Sequence, residues 1–226
     1  MEILIATATP MEIKMLADEM NFIREKHDLL KSYHFSGNEI DILMAGIGTV
    51  STTYRLTNTL NKTKYDLVMN IGIAGSLNPA LKIGEVGNVV TEEFADMGIE
   101  KREKFLTLFE TGFIDENEFP FENGILKASP LNQLKDLKEV HGITTNRSHG
   151  NSNSIAEIRR KFGADIETME GAAVFYVCLN MGIPCCQIRA ISNYVEPRDS
   201  SNWDIPLALE NLKTTLLSIL NNINMP

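Results

Sequence analysis

Cysteine and histidine are scarce: three of the first and four of the second. Cys178, Cys185 and Cys186 form no C-x-x-C pair and no ligand set with the scattered histidines, which argues against a metal site or a disulfide framework. They read as buried thiols, Cys178 on a helix and the adjacent pair on a strand. Basic residues are outnumbered, 21 Lys and Arg against 30 Asp and Glu, leaving a net charge of −9. Nucleic acid and anionic lipid both require a basic face, so neither is an expected partner. No apolar run approaches the ~20 residues that span a bilayer. Met1 leads directly into Ile3-Leu4-Ile5-Ala6, with no basic segment or small-residue cleavage site, so no signal peptide is expected. The expectation is a cytoplasmic protein that meets a diffusible small molecule and uses no metal or other cofactor.

With 226 residues and 43% hydrophobic content, the chain can bury one sizeable core, and a single domain over residues 1–226 is expected. Strand-like runs occur at Glu2 to Thr7, Ile40 to Ala45, Leu67 to Ile73, Asn88 to Val90 and Gln187 to Ile191. Helical patterns alternate with them: Met11 to Met20, Val50 to Leu60, Ile155 to Phe162, Met169 to Met181 and Pro206 to Ile223. Ser154-x-x-Glu157 reads as a capping box, and Gly182 with Pro184 stops the fourth helix. Residues 97–124 lack a helical period and read as an insertion or surface loop. The alternation is that of a three-layer α/β fold, in which ligands gather where strands end.

Several strand ends carry unusual residues. In 7-TATPMEI-13, Glu12 follows Pro10 at a helix start, where a carboxylate meets the helix dipole favourably and could also serve as a general base. Gly46-x-Gly48 and 70-NIGIAGSL-77 suit either tight turns or close approach to a ligand. Ser51 stands where a dinucleotide fingerprint needs its third glycine, which weakens a reading as an oxidoreductase. In 168-TMEGAA-173, small residues permit tight packing, but Glu170 in so apolar a setting must find partners or be protonated. Paired ribose hydroxyls would satisfy it, with Met169 beneath the sugar or in ordinary core. Arg189, inside a strand, requires an acidic partner such as Glu12 or Glu170, or a ligand or water to orient.

The ordered set 7-TATPMEI-13, 46-GIG-48, 70-NIGIAGSL-77, 168-TMEGAA-173 and 189-RAISN-193 resembles the nucleoside phosphorylase/nucleosidase superfamily across nearly the whole chain. Within it, the tail 194-YVEPRDSSNWDIPLAL-209 resembles the futalosine hydrolase branch. The resemblance implies an α/β/α sandwich with a mixed central sheet and a homodimer or higher homo-oligomer. Glu12 matches the carboxylate that activates a water, and Arg189 an arginine near it. Met169 and Glu170 match the pair under the ribose, flanked by Thr168. Gly72, Ile73, Ala74 and Gly75 align with the substrate-binding glycine turn, with Ile73 departing from the Ser that adenine nucleosidases carry near the water.

Asn193 occupies the base-contacting position that is Asp in adenine-specific relatives. An Asp can protonate N7 and accept from a 6-amino group, whereas an amide donates to a 6-oxo group and accepts from a ring N–H. The expected leaving group is therefore hypoxanthine, released with hydrogen-bond stabilisation instead of proton transfer from Asn193. Phosphorolytic relatives carry an arginine just before the glycine turn, where this chain reads Val68-Met69-Asn70-Ile71-Gly72. Water is the expected nucleophile. The function so implied is hydrolysis of futalosine to hypoxanthine in menaquinone biosynthesis. Alternatives are a methylthioadenosine/adenosylhomocysteine or aminofutalosine nucleosidase and a non-catalytic nucleoside-binding protein. The polar stretch 146-NRSHGNSN-153 reads as a lid with His149 on the base, or as a plain surface loop. Arg102, Arg147 and Arg198 are candidates by charge for the carboxylated tail of the substrate, and Trp203 for packing.

Overall fold

The computed structural model describes residues 1–102, 104–197 and 199–223. Its first half contains β1 (Glu2–Thr7), α1 (Pro10–Ala17), β2 (Asn21–His27), β3 (Leu30–Phe35), β4 (Asn38–Met44), α2 (Thr49–Leu60), β5 (Leu67–Ser76) and β6 (Val86–Phe94). A hairpin of β7 (Gly98–Lys101) and β8 (Lys104–Thr107) follows, then β9 (Leu126–Lys127), β10 (Lys138–Thr144), α3 (Ser152–Lys161) and β11 (Ile166–Thr168). The chain continues through α4 (Gly171–Asn180), β12 (Cys185–Tyr194) and α5 (Ile205–Asn222).

The large sheet runs β11-β10-β6-β12-β5-β1-β4-β3-β2 and mixes parallel and antiparallel pairings. Strand alternation assigns the two faces. On β1, Ile3 and Ile5 join the core that receives Ile13 and Leu16 of α1 and Leu212 and Leu216 of α5, while Leu4 points to the opposite core. That second core holds Leu56 of α2 and Val174 and Phe175 of α4. The expected three-layer α/β/α sandwich with a mixed central sheet is thus the observed fold. Each fully buried leucine contributes on the order of 1.5–3 kcal/mol, and Ala208, Leu212, Leu216 and Ile219 recur at the helical spacing that presents one face of α5.

One half of the sheet closes on itself. β5 pairs with β12 on one edge and antiparallel with β11 on the other, and β10 and β6 complete the ring between them. This ring draws β5 out to Ser76, three residues beyond the expected Ile73, because Gly75 and Ser76 have partners on both sides. The strands β2, β3, β10 and β11 carry no strong apolar alternation and were outside the expected set. β2 is exposed along most of its length and survives by pairing with β3.

Other boundaries also move. α1 ends at Ala17 instead of Met20, with Asp18 as its cap. α4 starts at Gly171, two residues after the expected Met169, and Glu170 is its N-cap. α3 is capped by Asn151, whose side chain accepts from the Asn153 N–H at 3.0 Å, so the Ser154–Glu157 box is not the start of that helix. Residues 97–124 hold the β7–β8 hairpin, and Phe109 and Phe121 from this region pack edge-on at 5.0 Å. All three cysteines are free and buried, in α4 and β12 as expected. Among the described residues no helix is long and apolar enough to cross a membrane.

Candidate active site

The carboxyl ends of β1, β5, β11 and β12 meet at a cavity of about 320 Å³. Lining it are Glu12, Ile73, Ala74, Gly75, Thr168, Met169, Glu170 and Asn193, all expected from the sequence. Ile47, Ser148, Glu167, Ser192 and Trp203 line it as well. Ligands gather at such strand ends because loops there diverge and leave backbone groups free.

Glu12 reaches the cavity because α1 begins immediately after β1. Pro10 occupies the first turn, where a missing N–H costs nothing. Oε2 of Glu12 accepts from the backbone N of Thr9 at 3.0 Å and from the Thr7 hydroxyl at 3.2 Å, and Oε1 accepts from the backbone N of Ile73 at 3.1 Å. The two readings of Glu12 are therefore compatible: the carboxylate caps its own helix and faces the cavity. A Cβ on Gly72 would overlap Oε1 of Glu12 and Nη1 of Arg189. Gly72 does not line the cavity; it leaves the room in which those two charges cross.

Glu170 is anchored from the Gly46-x-Gly48 turn. Gly48, at φ +82°, directs its N–H to Oε1 at 3.1 Å, a backbone shape that disfavours a side chain there. Nη2 of Arg189 stands 3.6 Å from Oε2 of Glu170. Burial pushes the Glu170 carboxyl up from its ordinary value, Arg189 and the Gly48 N–H draw it back, and the Glu12 charge raises it again. Arg189 is 1% exposed and lies behind the cavity wall, donating from Nη1 to the Ile73 carbonyl at 3.3 Å. Its partner is Glu170, so it positions a carboxylate and does not itself line the cavity.

Thr168 lines the cavity, and its hydroxyl donates to Oε1 of Glu92 at 3.2 Å and accepts from the Gly171 N–H at 3.3 Å. Glu92, fully buried, also accepts from Gln187 Nε2 at 2.7 Å and Thr144 Oγ1 at 2.9 Å. Desolvation pushes its carboxyl up to about 7 against those hydrogen bonds and the pull of Arg189. A Cβ on Gly171 would overlap Glu92 and Gln187, which is why the small residue follows Glu170. Nothing in the local sequence around 92 marks this carboxylate, because its partners come from β10, β11 and β12.

Asn193 does not mark the end of its strand. β12 continues to Tyr194, and its register with β5 shifts between Ile191 and Asn193, so Ser192 is an extra residue in a bulge. Bulges re-aim side chains. Here the Asn193 amide accepts at Oδ1 from the Ser192 hydroxyl at 2.8 Å and donates from Nδ2 to the Tyr194 carbonyl at 2.9 Å. In the stretch 146–153, residues 146–148 and 151–153 are exposed; Asn146 accepts from Thr49 N at 3.0 Å, Ser148 lines the cavity, and Ser152 opens α3. His149 is turned away from the cavity and buried against Glu167. Arg102 and Arg147 do not line the cavity, and Arg198 lies outside the described residues.

The family model described as the Phosphorylase superfamily matches residues 2–221. The chain belongs to this superfamily. It is 32% identical over 176 residues to a futalosine hydrolase of Streptomyces coelicolor, covering 75% of this chain and 73% of that one. With a futalosine hydrolase of Thermus thermophilus it shares 28% identity over 183 residues, 79% and 80% of the two chains. The native structure of futalosine hydrolase of Helicobacter pylori superposes with a TM-score of 0.81 at 21% identity, covering 98% of this chain and 97% of that one. This last likeness carries the fold.

Proposed function

We propose that this superfamily member is an N-ribosyl hydrolase that cleaves futalosine with water and releases hypoxanthine, a step of menaquinone biosynthesis. The observation that carries the reading is one cavity lined by two carboxylates, Glu12 and Glu170, and by a neutral amide, Asn193. Similarity to futalosine hydrolases supports the substrate.

In this reading Glu170, held by Gly48 and Arg189, accepts from the ribose hydroxyls, with Met169 beneath the sugar. Bond breaking to the purine runs ahead, building oxocarbenium character on the ribose, as in glycoside hydrolysis. Glu12 takes the proton of the attacking water. The departing purine is stabilised by hydrogen bonds to Asn193, which holds no proton acidic enough to transfer. Ile73, Ala74 and Gly75 supply the wall beside the base. Met11 and Ile47, both exposed and on the cavity, offer apolar surface to the aromatic tail of the substrate, with Trp203 beside them.

A homodimer belongs to the same reading. α2 presents Val50 and Tyr54, 81% and 71% exposed, along a groove of about 810 Å³ that also receives Phe121 and Tyr176. Apolar exposure on this scale marks interaction surfaces.

The test is product analysis of purified protein with futalosine, with and without phosphate. Hypoxanthine and the free ribose derivative are expected in both. Absence of hypoxanthine, or a ribose phosphate formed only when phosphate is present, would contradict the reading.

A further inference from the structure

The end of the cavity that holds Asn193 has a second polar wall. In the closed ring, β12 sets Asn193 opposite Gly75, and β11 sets Glu167 opposite the same glycine from the other side. Both residues line the cavity. Gly75 carries no side chain to separate them, so an amide and a carboxylate flank one glycine.

Glu167 is 5% exposed, and a carboxylate so buried requires fixed partners. Both come from His149: its backbone N donates to Oε1 at 2.9 Å, and its ring Nδ1–H donates to Oε2. The histidine side chain is itself 2% exposed. This pair clamps the carboxylate in one orientation and leaves each oxygen a further lone pair, since an ionised carboxylate only accepts. A 6-oxopurine presents a ring N–H beside its carbonyl, whereas a 6-aminopurine presents a bare ring nitrogen there. The carboxylate attracts the first and repels the second.

We infer that Glu167 is a second base-reading residue, accepting the ring N–H of a 6-oxopurine, and that His149 is the positioning residue that orients it. The inference rests on the N-ribosyl hydrolase reading above and deepens it: the choice of purine is shared between Asn193 and Glu167. A carboxylate that merely anchored the 146–153 loop would affect every substrate alike.

The experiment is the ratio of kcat/KM for futalosine to that for its 6-amino counterpart, in wild type and in Glu167→Gln. The amide can turn an N–H toward the bare nitrogen, so the ratio is expected to fall roughly 10- to 100-fold, the size of one charge-assisted hydrogen bond. His149→Ala is expected to lower the ratio too. His149→Asn, whose amide N–H can replace Nδ1–H, is expected to restore it. An unchanged ratio in Glu167→Gln overturns the inference while hydrolysis stands. No purine released by wild type from either substrate defeats the hydrolase reading instead. Should Glu167→Gln fail to fold, wild type decides by equilibrium binding: hypoxanthine is expected to bind at least about tenfold more tightly than 1-methylhypoxanthine, and equal affinity overturns the inference.

Discussion

The two ends of the cavity are built by different means. At the ribose end, Glu12 and Glu170 each stand where a strand gives way to a helix, and short motifs carry them: T-P-M-E and T-M-E-G. At the base end, Asn193 and Glu167 face the cavity only because a bulge in β12 and a ring closure through β11 bring them there. The first end is dense in charge, with Arg189 bridging toward Glu170. The second sets the Asn193 amide beside a single carboxylate, Glu167, that is clamped by His149. The proposed function assigns proton transfer and the ribose to the first, and choice among purines to the second.

The largest expected effect comes from breaking the ribose end alone. Glu12→Gln keeps an acceptor for the Thr9 N–H, so α1 stays capped, but the water loses its base. Turnover of futalosine is expected to fall ~10²–10⁴-fold with substrate binding retained; steady-state kinetics with unimpaired kcat would remove Glu12 from this role. Gly72→Ala strikes the same end sterically. Its methyl must displace the Glu12 carboxylate and the Arg189 guanidinium together, and misplacement on that scale costs about 10²-fold in kcat/KM. A variant with wild-type kinetics would show that the crossing of those two groups is idle.

Asn193→Asp addresses the base end and should leave the ribose end untouched. It is expected to shift the 6-oxo to 6-amino preference roughly tenfold toward the amino substrate, read from paired kcat/KM values. Equal values in variant and wild type would return Asn193 to the status of a bulge residue.

The smallest effect concerns Glu92, which accepts from Thr144, Thr168 and Gln187 behind the cavity wall. Its folded carboxyl is pushed up to about 7 by burial, whereas an unfolded glutamate ionises near 4.3. Between those values the unfolded chain has given up the proton and the folded one has kept it, so stability from this group falls as pH rises. Glu92→Gln removes the titration. Its Tm is expected to drop less than that of wild type between pH 5 and pH 8, by roughly 2–4 °C for each kcal/mol relieved. Parallel Tm profiles would contradict a buried titrating carboxyl.

What the sequence made legible follows the same division. Apolar runs such as Ile3-Leu4-Ile5 and the period of α5 were readable because burial imposes a local pattern. So were Glu170, out of place in apolar surroundings, and Glu12, at a strand-to-helix turn that resembles the family's motif. Glu92 and Glu167 were not, because a carboxylate's partners across the sheet leave no trace beside it in the chain. Thr168 was placed correctly on the cavity wall, yet its hydroxyl belongs to the start of α4. The apolar run ends at Ile191 in the sequence, and only the register of β12 against β5 carries the strand to Tyr194 and identifies the bulge that aims Asn193. The β7–β8 hairpin and the edge strand β2 escaped for a simpler reason: exposed strands need no apolar alternation.

Under the proposed function Glu12 and Glu170 serve hydrolysis, and Asn193 together with Glu167 selects a 6-oxopurine. A competition assay tests it most directly, with equimolar futalosine and aminofutalosine incubated with wild-type protein in phosphate-free buffer and both purines followed over time. Hypoxanthine is expected to accumulate first and adenine only as futalosine runs out. Adenine released first, or both purines released at equal rates, would contradict the account.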